Sequence, residues 1–389
     1  MTDVRLEDYD PLDPAVIEDP YPWYRVLQRD APVHCVEKHG FFVVSRYDDV
    51  VDVLQNWQDF STTWGPGPLR VESPVASILQ SDPPTHTRLR SIISRAFTPR
   101  AVRACEPLVE ACCRERVDAM LEAGRVDLID EWAIPIPVVV IAEMLGVPRE
   151  DRDRFRRWSD DIVAAIAGRK SPRQTQKEFD AYFSEVVADR QRTPRDDVIS
   201  KLLRPNDKGE SLSTPEVLSF CLSLMVAGNE TTTALLGNLF LELARRPDDW
   251  RRLRADPSLV PSAVEESLRY DGPNQGLFRN TTRDVEIHGV RIPKDRKLLA
   301  LFAAAGRDPR HFEDPDRFDI ARQPNRHLAF GAGIHHCLGA SLGRLEANVA
   351  LRVAVERIAE FELLDDRPPY VPIFFVRCPE RLQATLHAA

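Results

Sequence analysis

The stretch Phe330-Gly331-Ala332-Gly333-Ile334-His335-His336-Cys337-Leu338-Gly339 decides how the rest of this chain is read. Two glycines precede the cysteine. Without a Cβ they allow positive φ and close backbone approach. Beyond it, Leu338 to Ile358 reads as a helix, with Leu342, Leu345, Val349 and Val353 at helical spacing. Cys337 is therefore expected at or near a helix N-terminus, where partial positive charge and free N–H groups favour a thiolate. The residues alone read as a cysteine presented from a tight loop as an anionic ligand. Other readings stay open. A free cysteine is commonly a buried small hydrophobe. Zinc would need His335, His336 and Cys337 to converge on one tetrahedral ion, and no Cys-x-x-Cys or His-Glu-x-x-His partner is present. A dinucleotide fingerprint would need glycine where His336 stands. A nucleophilic cysteine leaves the glycines without a purpose.

Composition narrows the classes. The chain has 389 residues, 43% of them hydrophobic, which excludes disorder and low complexity as whole-chain descriptions. Its net charge of −9 argues against a nucleic-acid partner. Seven scattered cysteines, an odd number, do not form a disulfide framework and suit a reducing cytoplasm. Met1 to Asp19 lacks the apolar region of a secretory signal. The most apolar run, Ile134 to Leu145, holds Pro135, Pro137 and Glu143 and is too short to span a bilayer. A cytoplasmic protein without a membrane anchor is expected. No repeat and no Gly/Ser-rich linker divides the chain, so residues 1–389 are expected to form a single domain.

Most of the chain reads as helix. Pro99 to Glu122, Asp151 to Ala167 and Pro261 to Tyr270 are candidates. The longest runs from about Thr214 to Arg246, with Thr214 as cap, Pro215 in the first turn and Pro247 past the end. It would extend about 48 Å. Its apolar middle, Leu222 to Ala227, predicts burial, yet Asn229, Glu230 and three threonines follow at once. Polar groups in a buried helix mark a functional candidate. Two hairpins are expected, Val33–Val36 with Phe41–Val44, and Val285–Ile287 with Val290–Ile292, the second followed by the apolar run Leu298 to Phe302.

Phe330 to Gly339 resembles the heme-binding loop of the cytochrome P-450 family, Phe-Gly-x-Gly-x-His-x-Cys-x-Gly, with every fixed position filled. The resemblance extends in order from Asp19-Pro20-Tyr21-Pro22 to the C-terminal strands. It implies a mainly α (α+β) fold, a helical prism with a small β-sheet region. Heme b would lie between the long distal helix and the helix of the cysteine loop, with Cys337 as axial ligand of the iron. Phe330, Gly331 and Gly339 belong to the same loop. Glu266-Ser267-Leu268-Arg269 matches the family's Glu-x-x-Arg. Residues i and i+3 share a helix face, and alone such a pair is commonly a solvated surface pair. The resemblance implies a buried structural pair, with Arg317 as third member.

The heme propionates would be held by His86 and Arg90 (i, i+4 on one helix face), Arg279 and His335. Ala227-Gly228-Asn229-Glu230-Thr231-Thr232 resembles the family's oxygen-activation motif. It implies Glu230 as proton carrier, Thr231 as hydroxyl donor, and Gly228 as the point where the helix leaves space and opens. Thr231 could instead back-bond to its own helix. By family position the substrate pocket would draw on Trp64 to Ile78, part of Phe155 to Ala181, Leu224 to Ala227, Asn274 to Phe278 and Ile373 to Phe375. Trp64, Leu224, Gln275, Leu277, Phe278 and Phe374 are the candidates, suited to a hydrophobic small molecule. The implied reaction is O2- and NAD(P)H-dependent monooxygenation by a monomer, with electrons from a separate ferredoxin (or flavodoxin) and its reductase. Arg95, Arg100, Arg103 and Arg344 are the candidate docking residues. A peroxide-driven heme-thiolate enzyme or a non-catalytic heme sensor is the alternative. Two departures stand out: Arg377-Cys378 where relatives have Arg-Gly, and Asp295 where glycine is common.

Overall fold

The long helix is Thr214–Ala244, and its apolar sequence places it in the middle of the core. The computed structural model describes residues 4–166 and 171–389. The helix starts at Thr214 as expected and ends two residues before the expected Arg246, but its cap lies one residue earlier than Thr214. Ser213 is the cap, and the Glu216 carboxylate accepts from the Ser213 backbone N–H and hydroxyl, both at 2.8 Å. Val217, Phe220, Met225, Leu235, Leu239 and Phe240 enter the largest apolar cluster together with Val349, Leu351 and Val353 of the Ala340–Arg357 helix. That second helix, called here the cysteine helix, also packs along Glu106–Ala123.

The expected helix from Pro99 to Glu122 is two, Pro99–Arg103 and Glu106–Ala123. Pro107 explains the break: its ring excludes the carbonyl of residue i−4, which is Arg103. It sits instead in the first turn of the second helix, where a missing N–H costs nothing. Arg152–Ile166 and Val260–Tyr270 form as helices; Ala167, the expected end of the first, lies outside the described residues.

A five-stranded sheet has the order Val33–Val36, Phe41–Val44, Lys297–Ala300, Leu277–Thr281, Phe60–Ser61. The first hairpin pairs Val33 with Val44 and Val36 with Phe41. The second pairs Val285 with Ile292 across His288 (φ 51°) and Gly289 (φ 77°), two positive-φ positions as a two-residue turn requires. The apolar run Leu298 to Phe302 is not one strand. Pairing stops at Ala300, and Phe302–Ala305 turns into a short helix. Asp295, at the position where the resemblance led to an expectation of glycine, takes φ 61°, a region aspartate tolerates better than most residues. A three-stranded sheet joins Arg125–Asp127, Gln383–Ala388 and Ile358–Leu363. Among the described residues no helix is long and apolar enough to cross a membrane.

Candidate active site

The cysteine loop is shaped by its backbone. Gly331 and Gly333 have φ 67° and 70°. A Cβ on residue 333 would fall 2.5 Å from the Leu54 carbonyl oxygen, so only glycine fits there. The Cys337 N–H donates to the Phe330 carbonyl at 2.9 Å and closes the turn. The cysteine helix begins three residues later. Burial pushes the Cys337 thiol up, while the N–H groups of Gly339 and Ala340 and the charges of Arg90 and Arg344 act in favour of the thiolate.

Cys337 faces a cavity of about 270 Å³ between the loop and the long helix. Ala227, Gly228, Thr231 and Thr232 form the wall on the long helix. Phe330, Gly331, His335 and Gly339 line it from the loop, and Arg90 and Arg279 from one end. His86 stands just behind, its ring 4.4 Å from that of His335. The expected cofactor residues are thus brought together from four separate parts of the chain.

At that end the charges are unbalanced. Arg279 is 5% exposed, and burial pushes its guanidinium down to about 10. Burial, then Arg279, His86 and Arg90, drive the His335 imidazole down to about 3. His86 is 2% exposed, is lowered by burial and by Arg90, and its Nε2 has no hydrogen-bond partner. His335 Nε2 lies 3.2 Å from the Thr62 hydroxyl. Asp82 is the carboxylate acting on Arg279 and His86. Two guanidiniums and two imidazoles, one of them with an orphaned ring nitrogen just behind the cavity wall, are polar groups suited to hold anions. A heme with two propionates fits this donor set, with Cys337 across the cavity as the thiolate ligand.

On the long helix the Thr231 hydroxyl donates to the Ala227 carbonyl at 2.7 Å, so it back-bonds to its own helix while lining the cavity. Gly228 lines the cavity too, but the helix does not open there. A Cβ at 228 would fall 2.7 Å from Ile141 Cδ1, so the missing side chain lets Ile141 of the Pro135–Met144 helix pack close. Glu230 does not line the cavity. Burial, then the charge of Asp160, pushes its carboxyl up to about 7. Beside it, Asn229 Nδ2 donates to the Ser159 hydroxyl at 3.0 Å.

The family model of cytochrome P-450 matches residues 165–371. The cytochrome P-450 monooxygenase PikC of Streptomyces venezuelae is 40% identical over 359 residues, 89% of this chain and 85% of its own. The solved structure of CYP109Q5 from Chondromyces apiculatus superposes with a TM-score of 0.92 at 42% identity, covering 99% of this chain and 100% of that one. The chain belongs to the cytochrome P-450 family. CYP109E1 from Bacillus megaterium, solved in complex with testosterone, is 34% identical with a TM-score of 0.87, covering 94% of this chain and 99% of that one. Cytochrome P-450 enzymes bind heme and use O2, and NAD(P)H serves them indirectly through redox partners. This chain is accordingly a heme-thiolate monooxygenase.

Glu266 and Arg269 meet as a bidentate pair at 2.8 Å, both side chains fully buried. Arg269 also donates to the carbonyls of Gly306, Pro315 and Arg317 at 2.8, 2.8 and 3.0 Å. The expected third member is corrected here. Arg317 contributes its carbonyl, while its side chain is 68% exposed. The second guanidinium is Arg322, whose Nε donates to Glu266 Oε1 at 3.1 Å. Asn325 Nδ2 and the Asp319 N–H complete the carboxylate's shell at 3.1 and 2.8 Å.

The cytochrome P-450 pocket corrects the substrate candidates. Leu224 and Leu277 line the cavity; Trp64, Gln275, Phe278 and Phe374 do not. Phe278 lies between Leu277 and Arg279 on one strand, so its side chain takes the opposite face. There it packs against Phe41 and Phe374, with centroids 5.0 and 5.8 Å away. Gln275 is held by the Tyr24 hydroxyl and the Gly272 carbonyl at 2.9 and 3.1 Å. Trp64 lies under the Arg70 guanidinium, 4.4 Å from its centre. No described residue of 155–181 or of 373–375 reaches the cavity; residues 167–170 lie outside the described ones. Phe97, Phe220, Ser223 and Glu346 do, and were not expected. Cys378 is buried elsewhere, where a Cβ on Gly237 would come within 3.8 Å of its sulfur.

Two of the four docking arginines are already committed. Arg95 donates to the carbonyls of Lys201, Arg204 and Pro205 at 3.3, 2.7 and 3.1 Å. Arg344 forks onto both Glu265 oxygens at 2.7 and 2.9 Å. Burial works against the Glu265 charge, yet His327 and Arg344 hold the carboxyl down to about 2. Arg100 and Arg103 are exposed and, among the described residues, form no ion pair.

Proposed function

We propose that this single-domain chain hydroxylates a hydrophobic small molecule. A separate ferredoxin or flavodoxin, with its reductase, supplies the electrons, and the protein acts as a cytoplasmic monomer. The observation that carries the reading is the Cys337 thiol facing Thr231 across a cavity with an excess of cationic groups at one end. Bound there, heme supplies the iron centre at which O2 is reduced and one oxygen atom passes to the substrate. His86, Arg90, Arg279 and His335 would hold its propionates. Apolar walls at Ile78, Leu79, Phe97, Phe220, Leu224 and Leu277 exclude water, and Ser223 and Asn274 offer the directional polar contacts. The testosterone complex of CYP109E1 supports a hydrophobic substrate. A substrate-induced spin-state screen, followed by NADH-driven and peroxide-driven turnover with a surrogate ferredoxin, tests this. Turnover with peroxide alone would point to a peroxide user.

Glu230 would carry protons towards the cavity, and Thr231 would hand them on. Threonine in a helix has two accessible rotamers, one of which back-bonds, so Thr231 can exchange the Ala227 carbonyl for an acceptor in the cavity. Thr231→Ala should keep heme and substrate binding but divert most reducing equivalents to peroxide. Product formation still matching electron consumption would remove Thr231 from the path.

The acid form of Glu230 is the donor. With its carboxyl raised to about 7, that form is populated below pH 7 and lost above it. Turnover at saturating carrier should therefore fall tenfold per pH unit above about 7, and Glu230→Gln should slow it by ~10²-fold. A flat profile from pH 6 to 9 would contradict this role.

Docking of an acidic carrier would use Arg100 and Arg103. Reversing both charges should raise the carrier's KM several-fold at low ionic strength and little at high. An unchanged KM would place the carrier elsewhere.

A further inference from the structure

Lys297 opens the strand Lys297–Ala300 and is 8% exposed. Lysine is rarely buried without a counter-charge. Among the described residues no carboxylate pairs with this one. Its Nζ donates instead to the carbonyls of Trp64 and Gly65 at 3.0 and 2.7 Å. The neighbouring strand Leu277–Thr281 offers no anion either. The Phe278 ring centre lies 6.0 Å from Nζ, and the charge that acts on the lysine is Arg279, a second cation. Burial, then Arg279, pushes the ammonium down to about 8, so it still carries its charge at neutral pH. An apolar side chain would fill this place in the sheet without burying a charge.

What the lysine holds is one side of the cavity. Three successive residues are tied to the sheet. Asn280 Oδ1 accepts from the Trp64 N–H at 3.2 Å, Lys297 takes the Trp64 and Gly65 carbonyls, and the Phe278 N–H donates to the Pro66 carbonyl at 2.9 Å. Of these anchors only Lys297 is charged. Pro66 lines the cavity, as do Ile78 and Leu79 at the far end of the same loop. The loop folds back on itself. The Val71 N–H donates to the Trp64 carbonyl at 3.1 Å, and the Thr62 hydroxyl donates to the Ser81 carbonyl at 3.3 Å. A Cβ on Gly65 would fall 2.7 Å from Gln80 Nε2, so the two ends of the loop touch there. Its middle gains little from apolar burial, since Leu69 and Val71 are 74% and 52% exposed. The place of the loop therefore depends on the ties at its base.

We propose that Lys297 is a positioning residue for the substrate: its ammonium fixes the Trp64–Pro66 segment, and with it the Pro66, Ile78 and Leu79 side of the cavity. One Nζ carries three N–H bonds and so can hold two carbonyls at once. Hydrogen bonds from a charged donor are roughly twice as strong as neutral ones. For consecutive carbonyls to meet one atom the backbone must turn between them, and Gly65 at φ 81° makes that turn. Without the tie, the Cys337 side of the cavity would be unchanged, while the wall that a large ligand touches would loosen. The effect therefore falls on affinity for bulky molecules and spares small ones. The proposal rests on reading the cavity as the heme and substrate site.

The test compares the holoenzyme with Lys297→Met and Lys297→Gln, using two azoles that coordinate heme iron through the same type of ring nitrogen. Imidazole fits at the iron without reaching the loop. Clotrimazole carries bulky aryl rings that extend to the cavity walls. Binding of each is read from the shift of the heme absorption band. Lys297→Met should weaken clotrimazole by about tenfold or more and imidazole by less than about twofold. Lys297→Gln should fall between the parent and Lys297→Met. Amide hydrogen exchange over residues 62–82 should quicken by about tenfold in Lys297→Met. Urea denaturation should show that variant as stable as the parent or more so, because an apolar side chain replaces a buried charge. Equal weakening of both azoles, an unchanged clotrimazole affinity or unchanged exchange in the loop overturns the proposal. If Lys297→Met does not fold, Lys297→Gln is measured in the same way and the same outcomes decide. Heme content and imidazole binding of the parent report separately on the cavity, and their failure would overturn the underlying reading instead.

Discussion

Cys337→Ser abolishes the thiolate-type spectrum of the reduced CO complex and lowers monooxygenase turnover by at least about a thousandfold, equivalent to about 4 kcal/mol of barrier. The loop itself should survive the change. Its shape is held by Gly331, Gly333 and the Cys337 N–H to the Phe330 carbonyl, none of which involves the side chain. What is lost is the anion. The N–H groups of Gly339 and Ala340 and the charges of Arg90 and Arg344 are arranged to favour a thiolate against the cost of burial. A serine hydroxyl stays protonated under the same field and cannot push electron density towards iron as sulfur does. Heme can still be retained through the cationic end of the cavity, so heme content and catalysis should separate in this variant. Survival of the thiolate-type spectrum would show that the iron ligand lies elsewhere.

Features set by contiguous residues or by helix spacing were legible in the chain. The cysteine loop is one segment, Glu266 and Arg269 are i, i+3, and His86 and Arg90 are i, i+4. Leu277–Thr281 was not read as a strand, and taking both Leu277 and Phe278 for the pocket missed the two-residue alternation that sends neighbours to opposite faces. Glu346 could also have been seen. Leu342, Glu346, Val349 and Val353 follow the i, i+4, i+7, i+11 positions of one buried face, with a carboxyl on an apolar seam. Other features depend on the path of irregular chain, which has no period to read. Whether Arg317 or Arg322 turns inward is settled by the coil between Asp314 and Asn325. The filling of Gly228 by Ile141 depends on how two helices cross, and Arg95 and Arg344 are consumed by partners distant in sequence.

That coil gives the largest stability effect. Glu266→Ala would leave Arg269 fully buried with its carbonyl partners but without its counter-charge, and would strip Arg322, Asn325 and the Asp319 N–H of their shared acceptor. Breaking a buried pair from one side costs about 3–5 kcal/mol. Native stability is typically about 5–15 kcal/mol, so the variant should fold poorly and lose heme at moderate temperature. Arg322→Ala removes the bond to Glu266 together with those to the carbonyls of Glu313, Asp314 and Arg317, from a side chain that is 11% exposed, and should cost about 1–3 kcal/mol. Arg317→Ala leaves in place the carbonyl that Arg269 uses and removes an exposed side chain 3.6 Å from Asp319, so it should change stability by less than about 0.5 kcal/mol. Urea denaturation of the three holoenzymes, with heme content followed alongside, should rank the losses Glu266, Arg322, Arg317. Equal losses for Arg317 and Arg322 would mean that the inward guanidinium is wrongly assigned. A stable Glu266→Ala variant that keeps its heme would mean that the buried carboxylate does not organise this coil.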